Sequence, residues 1–360
     1  MAPDASFISG LRLAEVFYLD IVRPLLNDVF PAVPHSAALL GPGSEVLGYD
    51  TERSTDHDWG PRVQIFVRPD DFQHRGQAIW QTLVDRLPST FAGHPISVEP
   101  LPGDVAEDES RGRGVRVGTV AQFLREHLGF DPRDGMTTTD WLTTPTQRLL
   151  EVTTGAVFFD GTEELSPVRN QLHWYPHDIW CYLLACQWGR IGQEEAFVGR
   201  AGEVGDELGS RVLAVRLTRD LMRLCFLIER RYAPYAKWLG SAFAQLDCFP
   251  VLGPVLSTVL EATDSPTRER HLGRAYTLVA ERFNDLGIAE PVDTTTRSYF
   301  NRPFTVLGAG RFVAAARDSI GDEEIRSLPL IGSVDQFIDS TDVFTHPHIL
   351  RRLAILYGSE

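Results

Sequence analysis

"LLGPGSEVLGYDTERSTDHDWGPRVQIFV", residues 39–67, joins two apolar runs through a Gly-Ser pair, Gly43-Ser44, and an Asp-x-Asp pair, Asp56 and Asp58. "SAALLG" predicts a short strand running into the turn Gly41-Pro42-Gly43, and "RVQIFV" predicts a second, half-buried strand. Positions i and i+2 of a strand share a face, so two carboxylates where the second strand begins would point the same way. Like charges held that close need a metal ion, a shared proton or a basic partner. Mg2+ is the natural guest, because it takes one or two carboxylates and completes its shell with water and phosphate oxygens. A solvated acidic strand entry is the competing reading of the pair taken alone. Ser44 stands at the start of a helical turn, where backbone N–H groups without internal partners make an anion site.

Outward from this stretch, the N-terminal "FISGLRLAEVFYLDIVRPLL" places Leu13, Val16, Phe17, Ile21 and Leu25 at helical spacing, with Glu15 and Asp20 inside the pattern. It reads as an amphipathic helix and not as a secretory signal. "DDFQHRGQAIWQTLVDRL" predicts a helix entered through Asp, and "HPISVEPL" and "GVRVGTV" predict two more strands. Residues 1–130 are expected to form a mixed α/β domain around a small sheet. Beyond "REHLGFDPRDGMTTTDWLTTP" the patterns become long and helical. A helical domain is expected over 131–360, as a bundle over 131–248 and a helical extension over 249–360. "PTQRLLEVTTGAVF" leads to a turn at Asp160-Gly161. The fold class is therefore α+β, a small mixed sheet followed by a larger, mostly helical part.

Composition narrows the function classes. The chain has 360 residues, 43% of them hydrophobic, enough for two cores at roughly 100–200 residues per domain. Its formal charge of -15 argues against a broad grip on duplex nucleic acid. No apolar run reaches the ~18 residues that span a bilayer. Cys181, Cys186, Cys225 and Cys248 form neither a Cys-x-x-Cys pair nor a zinc spacing, so reduced core thiols and a cytoplasmic location are expected. His173 and His177 stand at i,i+4, but Pro176 and Asp178 beside them suit a helix start better than a metal cage.

Two basic features bear on phosphate chemistry. Arg216, Arg223 and Arg230 recur every seven residues with Arg219 three after the first, a stripe on one helix face. It is either a polyphosphate cradle or a set of arginines paired with acids such as Asp220 and Glu229. Lys237 is the one Lys among 34 basic residues, flanked by Tyr232, Tyr235 and Trp238. A compact ammonium meets phosphate as a point charge, where guanidinium forms a planar fork.

Gly43-Ser44, eleven residues, then Asp56-x-Asp58 resembles the signature of the DNA polymerase β-like nucleotidyltransferase superfamily. The helical half, through "YPHDIWCYLLACQWGRIGQEEAFVGR", "GDELGS", "RRYAPYAKWLG" and "LPLIGSVDQFIDST", resembles over residues 130–340 a bacterial domain of unknown function that accompanies such domains. The resemblance implies transfer of NMP, AMP by first choice, from an NTP such as ATP to a hydroxyl of an unidentified, small acceptor. It implies two Mg2+ ions on Asp56 and Asp58, and Gly43, Ser44, Lys237, Arg216 and Arg223 on the nucleotide. It further implies a third carboxylate as ligand or base. Glu99 in "ISVEP" is the candidate, "GVRVGTV" offers none, and Glu194 and Glu195 are the reserve. A noncatalytic nucleotide-binding regulator on the same fold is the alternative.

Overall fold

The computed structural model describes residues 7–56, 59–101 and 114–358. The chain folds as two compact units, Met1–Met136 with Arg148–His173, and Thr137–Gln147 with Trp174–Glu360. The chain therefore passes between the units three times, which differs from consecutive domains meeting at residue 130. A strand read from sequence only as the approach to a turn, residues 156–160, belongs to the sheet of the first unit and brings its flanks with it.

In the first unit, helix α1 (Gly10–Phe17) is capped by the Ser9 side chain and runs through a π-helical turn, Tyr18–Val22, into α2 (Arg23–Val29). The sheet has strands β1 (His35–Leu39), β2 (Val63–Val67), β5 (Val115–Gly118) and β6 (Ala156–Asp160) in the order β5-β2-β1-β6. Between β2 and β5 come α3 (Pro69–Arg86) and a two-residue hairpin, β3 (Thr90–Phe91) and β4 (His94–Pro95). Strand β1 runs antiparallel to β2 and β6, while β2 and β5 are parallel, so the sheet is mixed as expected. The expected strand "HPISVEPL" is reduced to β4 and a single bridge, Val98 to Val115, because Pro95 and Pro100 cannot donate to a ladder.

All five residues of β1 are buried, and one sheet face packs Ala37, Ile65 and Val117 against Phe17 and Val22 of the N-terminal helix and Ile79 and Leu83 of α3. Burial at roughly 25 cal/mol per Å2 of apolar surface is what holds β1 and β2 fixed. Helix α4 (Val120–Leu128) follows β5 with a reciprocal capping box, Thr119 with Gln122, and ends on Gly129 in the left-handed conformation. Helix α6 (Thr146–Thr153) leads into β6, and α7 (Leu165–Gln171) closes the unit.

The second unit is helical: α5 (Thr138–Thr143), α8 (His177–Glu194), α9 (Phe197–Glu203), α10 (Glu207–Ile228), α11 (Ala236–Phe243), α12 (Phe249–Glu261) and α13 (Ser265–Asp285). A two-residue pairing, β7 (Arg297–Ser298) with β8 (Thr305–Val306), precedes α14 (Gly310–Asp318) and the short helices α15 (Glu323–Ser327), α16 (Val334–Phe337), α17 (Thr341–Phe344) and α18 (Pro347–Arg351). Its core is aromatic: the fully buried Trp188 stacks on Phe312 at 4.6 Å and meets Phe283 edge-on. The four cysteines are buried and free. No helix among the described residues is long and apolar enough to cross a membrane.

Candidate functional site

The end of β1 sets the candidate site of the first unit. The Gln64 side chain on β2 bonds both the N–H and the C=O of Leu40, each at 2.9 Å, so the chain leaves β1 at a fixed angle. It then enters the turn that begins at Gly41, whose N–H donates to the Glu151 carbonyl. Gly43 has φ +149, and a Cβ there would stand 2.8 Å from both Arg62 Nη2 and Glu45 Oε2. A side chain there would have to displace the ends of that pair and adopt a backbone conformation that favours glycine. Arg62 and Glu45 form an ion pair with both side chains buried. Burial pushes the Glu45 carboxyl upward, and the Arg62 guanidinium opposes the shift. The Ser44 carbonyl accepts from the Tyr49 N–H at 2.8 Å, closing the turn, and the Asp50 carboxylate then takes the Gly10 N–H and the Trp59 Nε1–H.

Asp56 is not on a strand. It ends a 3-10 turn, Glu52–Asp56, and β2 begins only at Val63. Gly60, at φ +153, and Pro61, which has no N–H, separate the acidic pair from the ladder. The alternation argument for a shared strand face therefore does not apply to Asp56. Its side chain and Asp58 lie outside the described residues.

A cavity of about 210 Å3 lies at this end of the sheet. Its wall includes Leu40 and Pro42 after β1, Arg62 before β2, Arg116 on β5, and His127 and Arg148 from α4 and α6. Glu99 also lines it with a buried side chain; its backbone pairs with Val115 and its carbonyl accepts the Trp80 indole. Arg148 bonds Glu151 and the Nδ1 of His127, while His127 Nε2 lies 3.0 Å from Glu151. This chain of contacts fixes the Arg148 head at the cavity wall. Arg116 is held by Glu126. Three arginines thus line one space, and guanidinium is the donor type that matches phosphate oxygens.

Burial lowers the His127 pKa and, in the core beneath the sheet, that of His35, whose Nε2 meets the Tyr18 hydroxyl at 2.9 Å. Below the ordinary histidine value of 6.5 the unfolded chain takes up protons that the folded unit resists, so stability falls as pH drops through that region. Urea unfolding between pH 8 and pH 5 is expected to show this decline, and His127→Gln and His35→Gln each to flatten it. An unchanged slope in both would show that other groups carry it.

The remaining residues named from sequence lie in the second unit, each with local company. Arg216 on α10 pairs with Glu194 at 3.0 Å. Arg219 forms a two-pronged pair with Asp339, and Arg223 donates to the Asp335 carbonyl. Arg230 lies beyond the end of α10, at φ +52, with its guanidinium 4.2 Å from the Trp180 ring centre. The seven-residue stripe thus breaks at its last member. Lys237 Nζ stands 4.9 Å from the ring centre of Trp238. Glu195 is buried and accepts the N–H groups of Leu307, Gly308 and Ala309, so its carboxylate anchors the loop ahead of α14. His177 opens α8 with Nε2 3.6 Å from Cys181 Sγ. Sequence reasoning missed Arg62, Arg116, His127 and Arg148. The one local trace was the i,i+3 spacing of Arg148 and Glu151.

Residues 141–239 match the family described as Domain of unknown function (DUF4037). This stretch lies within the helical region for which the sequence resemblance was drawn. Among solved structures, a nucleotidyltransferase-like protein from Exiguobacterium sibiricum 255-15 is similar at 12% identity and a TM-score of 0.32, over 76% of this chain and 77% of that one. No curated protein matches.

Proposed function

We propose that this chain is an Mg2+-dependent nucleotidyltransferase that moves a nucleoside monophosphate, AMP by first choice, from an NTP to a hydroxyl of a small acceptor. The observation that carries the reading is the cavity beside the Gly43-Ser44 turn, walled by Arg62, Arg116 and Arg148. In a chain of formal charge -15, three arginines in the wall of one cavity suit an anionic ligand, each already set in place by a carboxylate. Asp56 and Asp58 would hold the Mg2+. Among the described residues no three His, Cys, Asp or Glu form a metal-binding group. Mg2+ asks for less, one or two carboxylates with water and phosphate oxygens, and an all-oxygen Asp pair suits it. When bound, the metal would neutralise triphosphate charge and polarise the α-phosphoryl group.

The chain's own residues would do the rest. The Ser44 hydroxyl and the turn's N–H groups would donate to the terminal phosphates, with Arg62 and Arg148 on the charge that grows on the departing pyrophosphate. Glu99 would take the proton of the acceptor hydroxyl as its oxygen bonds to the α-phosphorus and the bond to pyrophosphate breaks. The test is calorimetric titration of the purified chain with ATP, GTP, CTP and UTP, with and without Mg2+. Saturable binding that requires Mg2+ is the expected result. Its absence for all four overturns the reading, and binding with no pyrophosphate release across a panel of hydroxyl acceptors leaves a nucleotide-binding regulator.

A further inference from the structure

The helical unit has a cavity of its own, separate from the transfer chemistry proposed above. Most of its wall comes from residues 141–239, with the remainder from the segment around α16 and α17. Several hydrogen bonds fix that wall. The Asp335 carboxylate takes the Thr146 N–H at 2.9 Å and lies 3.0 Å from its hydroxyl, and the Gln147 side chain accepts the Tyr235 N–H at 3.0 Å. Trp174, Tyr175 and Tyr232 pack ring to ring at 5.0 to 5.2 Å behind it.

Three donors in this wall stand out. The Tyr175 hydroxyl and the Trp174 Nε1–H are buried, and neither has a hydrogen-bond partner. Leaving such groups unmade costs about 1–3 kcal/mol each, so their retention calls for a partner. Arg223 lines the same cavity, half-buried, and its one hydrogen bond is to the Asp335 carbonyl; it forms no ion pair among the described residues. Burial pulls its pKa down. The neighbouring charges are already engaged: Arg219 by Asp339, Arg190 by Asp220, Asp335 by Thr146. Tryptophan and arginine can only donate, so the missing partner must supply acceptor oxygens. Its body must be apolar to meet Trp174, Tyr175, Tyr235 and Phe226. The inner space is about 50 Å3, room for an oxyanion headgroup alone, and the cavity opens to solvent, so an apolar body can extend along the wall beyond it.

We propose that this cavity binds a small organic acid, its oxyanion on Arg223, Tyr175 and Trp174 and its apolar body against the aromatic wall. It shares no lining residue with the cavity of the first unit, so it stands or falls separately.

The test uses the full chain and two probes, benzoate and phenyl phosphate, with benzyl alcohol as the neutral control, followed by calorimetry and tryptophan fluorescence. At least one anion is expected to bind saturably and the alcohol not to. Benzoate alone would assign a carboxylate headgroup, and phenyl phosphate alone a phosphate. Arg223→Met is expected to weaken binding about tenfold or more, with partial recovery in Arg223→Lys. Tyr175→Phe and Trp174→Phe, which each delete one donor with little change of shape, are expected to weaken it several-fold and carry the test should Arg223→Met fail to fold. Arg270→Ala, on α13 outside the cavity, is expected to bind normally. No saturation by either anion, or binding untouched by Tyr175→Phe and Trp174→Phe, would overturn the proposal.

Discussion

Arg62→Met is expected to cost the first unit about 3–5 kcal/mol, because it strands the Glu45 carboxylate in a site with almost no access to water. Methionine keeps the volume of the aliphatic stem, so the loss isolates the charge. The stranded carboxyl has one escape, which is to take up a proton. Burial already pushes Glu45 upward with Arg62 present, and removing the cation removes the force that opposes the shift. A carboxyl raised in the folded state keeps its full stability below the unfolded pKa and loses it as pH rises through the folded one. The deficit of Arg62→Met is therefore expected to be largest at pH 7 to 8 and to shrink toward pH 5. Urea unfolding at both ends of that range measures it. Adding Glu45→Gln to Arg62→Met should recover most of the stability at pH 7.5, since no charge remains to be buried. If the double variant is as unstable as the single one, the arginine matters for packing and not for charge. The pair also fills the space against which Gly43 is folded, so the single variant should lose the shape of the Gly43-Ser44 turn as well.

What could be read from the chain follows the range of the interactions involved. Strands β1 and β2 and helix α3 announce themselves by local periodicity and by turn residues, and the folded elements lie where those signals put them. Strand β6 does not: "AVFFD" sits at the sheet edge, half-buried along its length, with no alternation to mark it. Its pairing with β1, more than a hundred residues earlier, is what interleaves the two units. Pro61 was a legible warning that the ladder starts after the acidic pair, and it decides where Asp56 falls. The cavity was beyond local reading. Arg62, Arg116 and Arg148 come from three separate stretches of chain, each unremarkable among 34 basic residues. The arginine stripe of α10 shows the reverse case, since regular spacing put the side chains on one helix while tertiary partners gave each a different task.

Replacing both members of the acidic pair, Asp56→Ala with Asp58→Ala, is expected to reduce Mg2+-dependent nucleotide turnover by at least about a hundredfold, on the scale of losing a principal stabiliser of transition-state charge. Stability should change little by comparison. Asp56 belongs to a short 3-10 turn outside the sheet and its ladder. Glu45 is the comparison, because its charge is answered inside the protein by Arg62. A carboxylate pair kept for structure would behave like Glu45, with its loss read in urea. One kept for a metal would be silent in urea and loud in turnover. The Asp58→Asn single variant sharpens the contrast, because it retains shape and an oxygen while removing charge, and should fall between wild type and the double variant in turnover. Pyrophosphate release at saturating Mg2+ and NTP, set beside unfolding curves of the same samples, reads both quantities. Full turnover in the double variant would remove the metal from Asp56 and Asp58 and shift attention to Glu99 and Glu126, the two carboxylates that line the arginine-walled cavity.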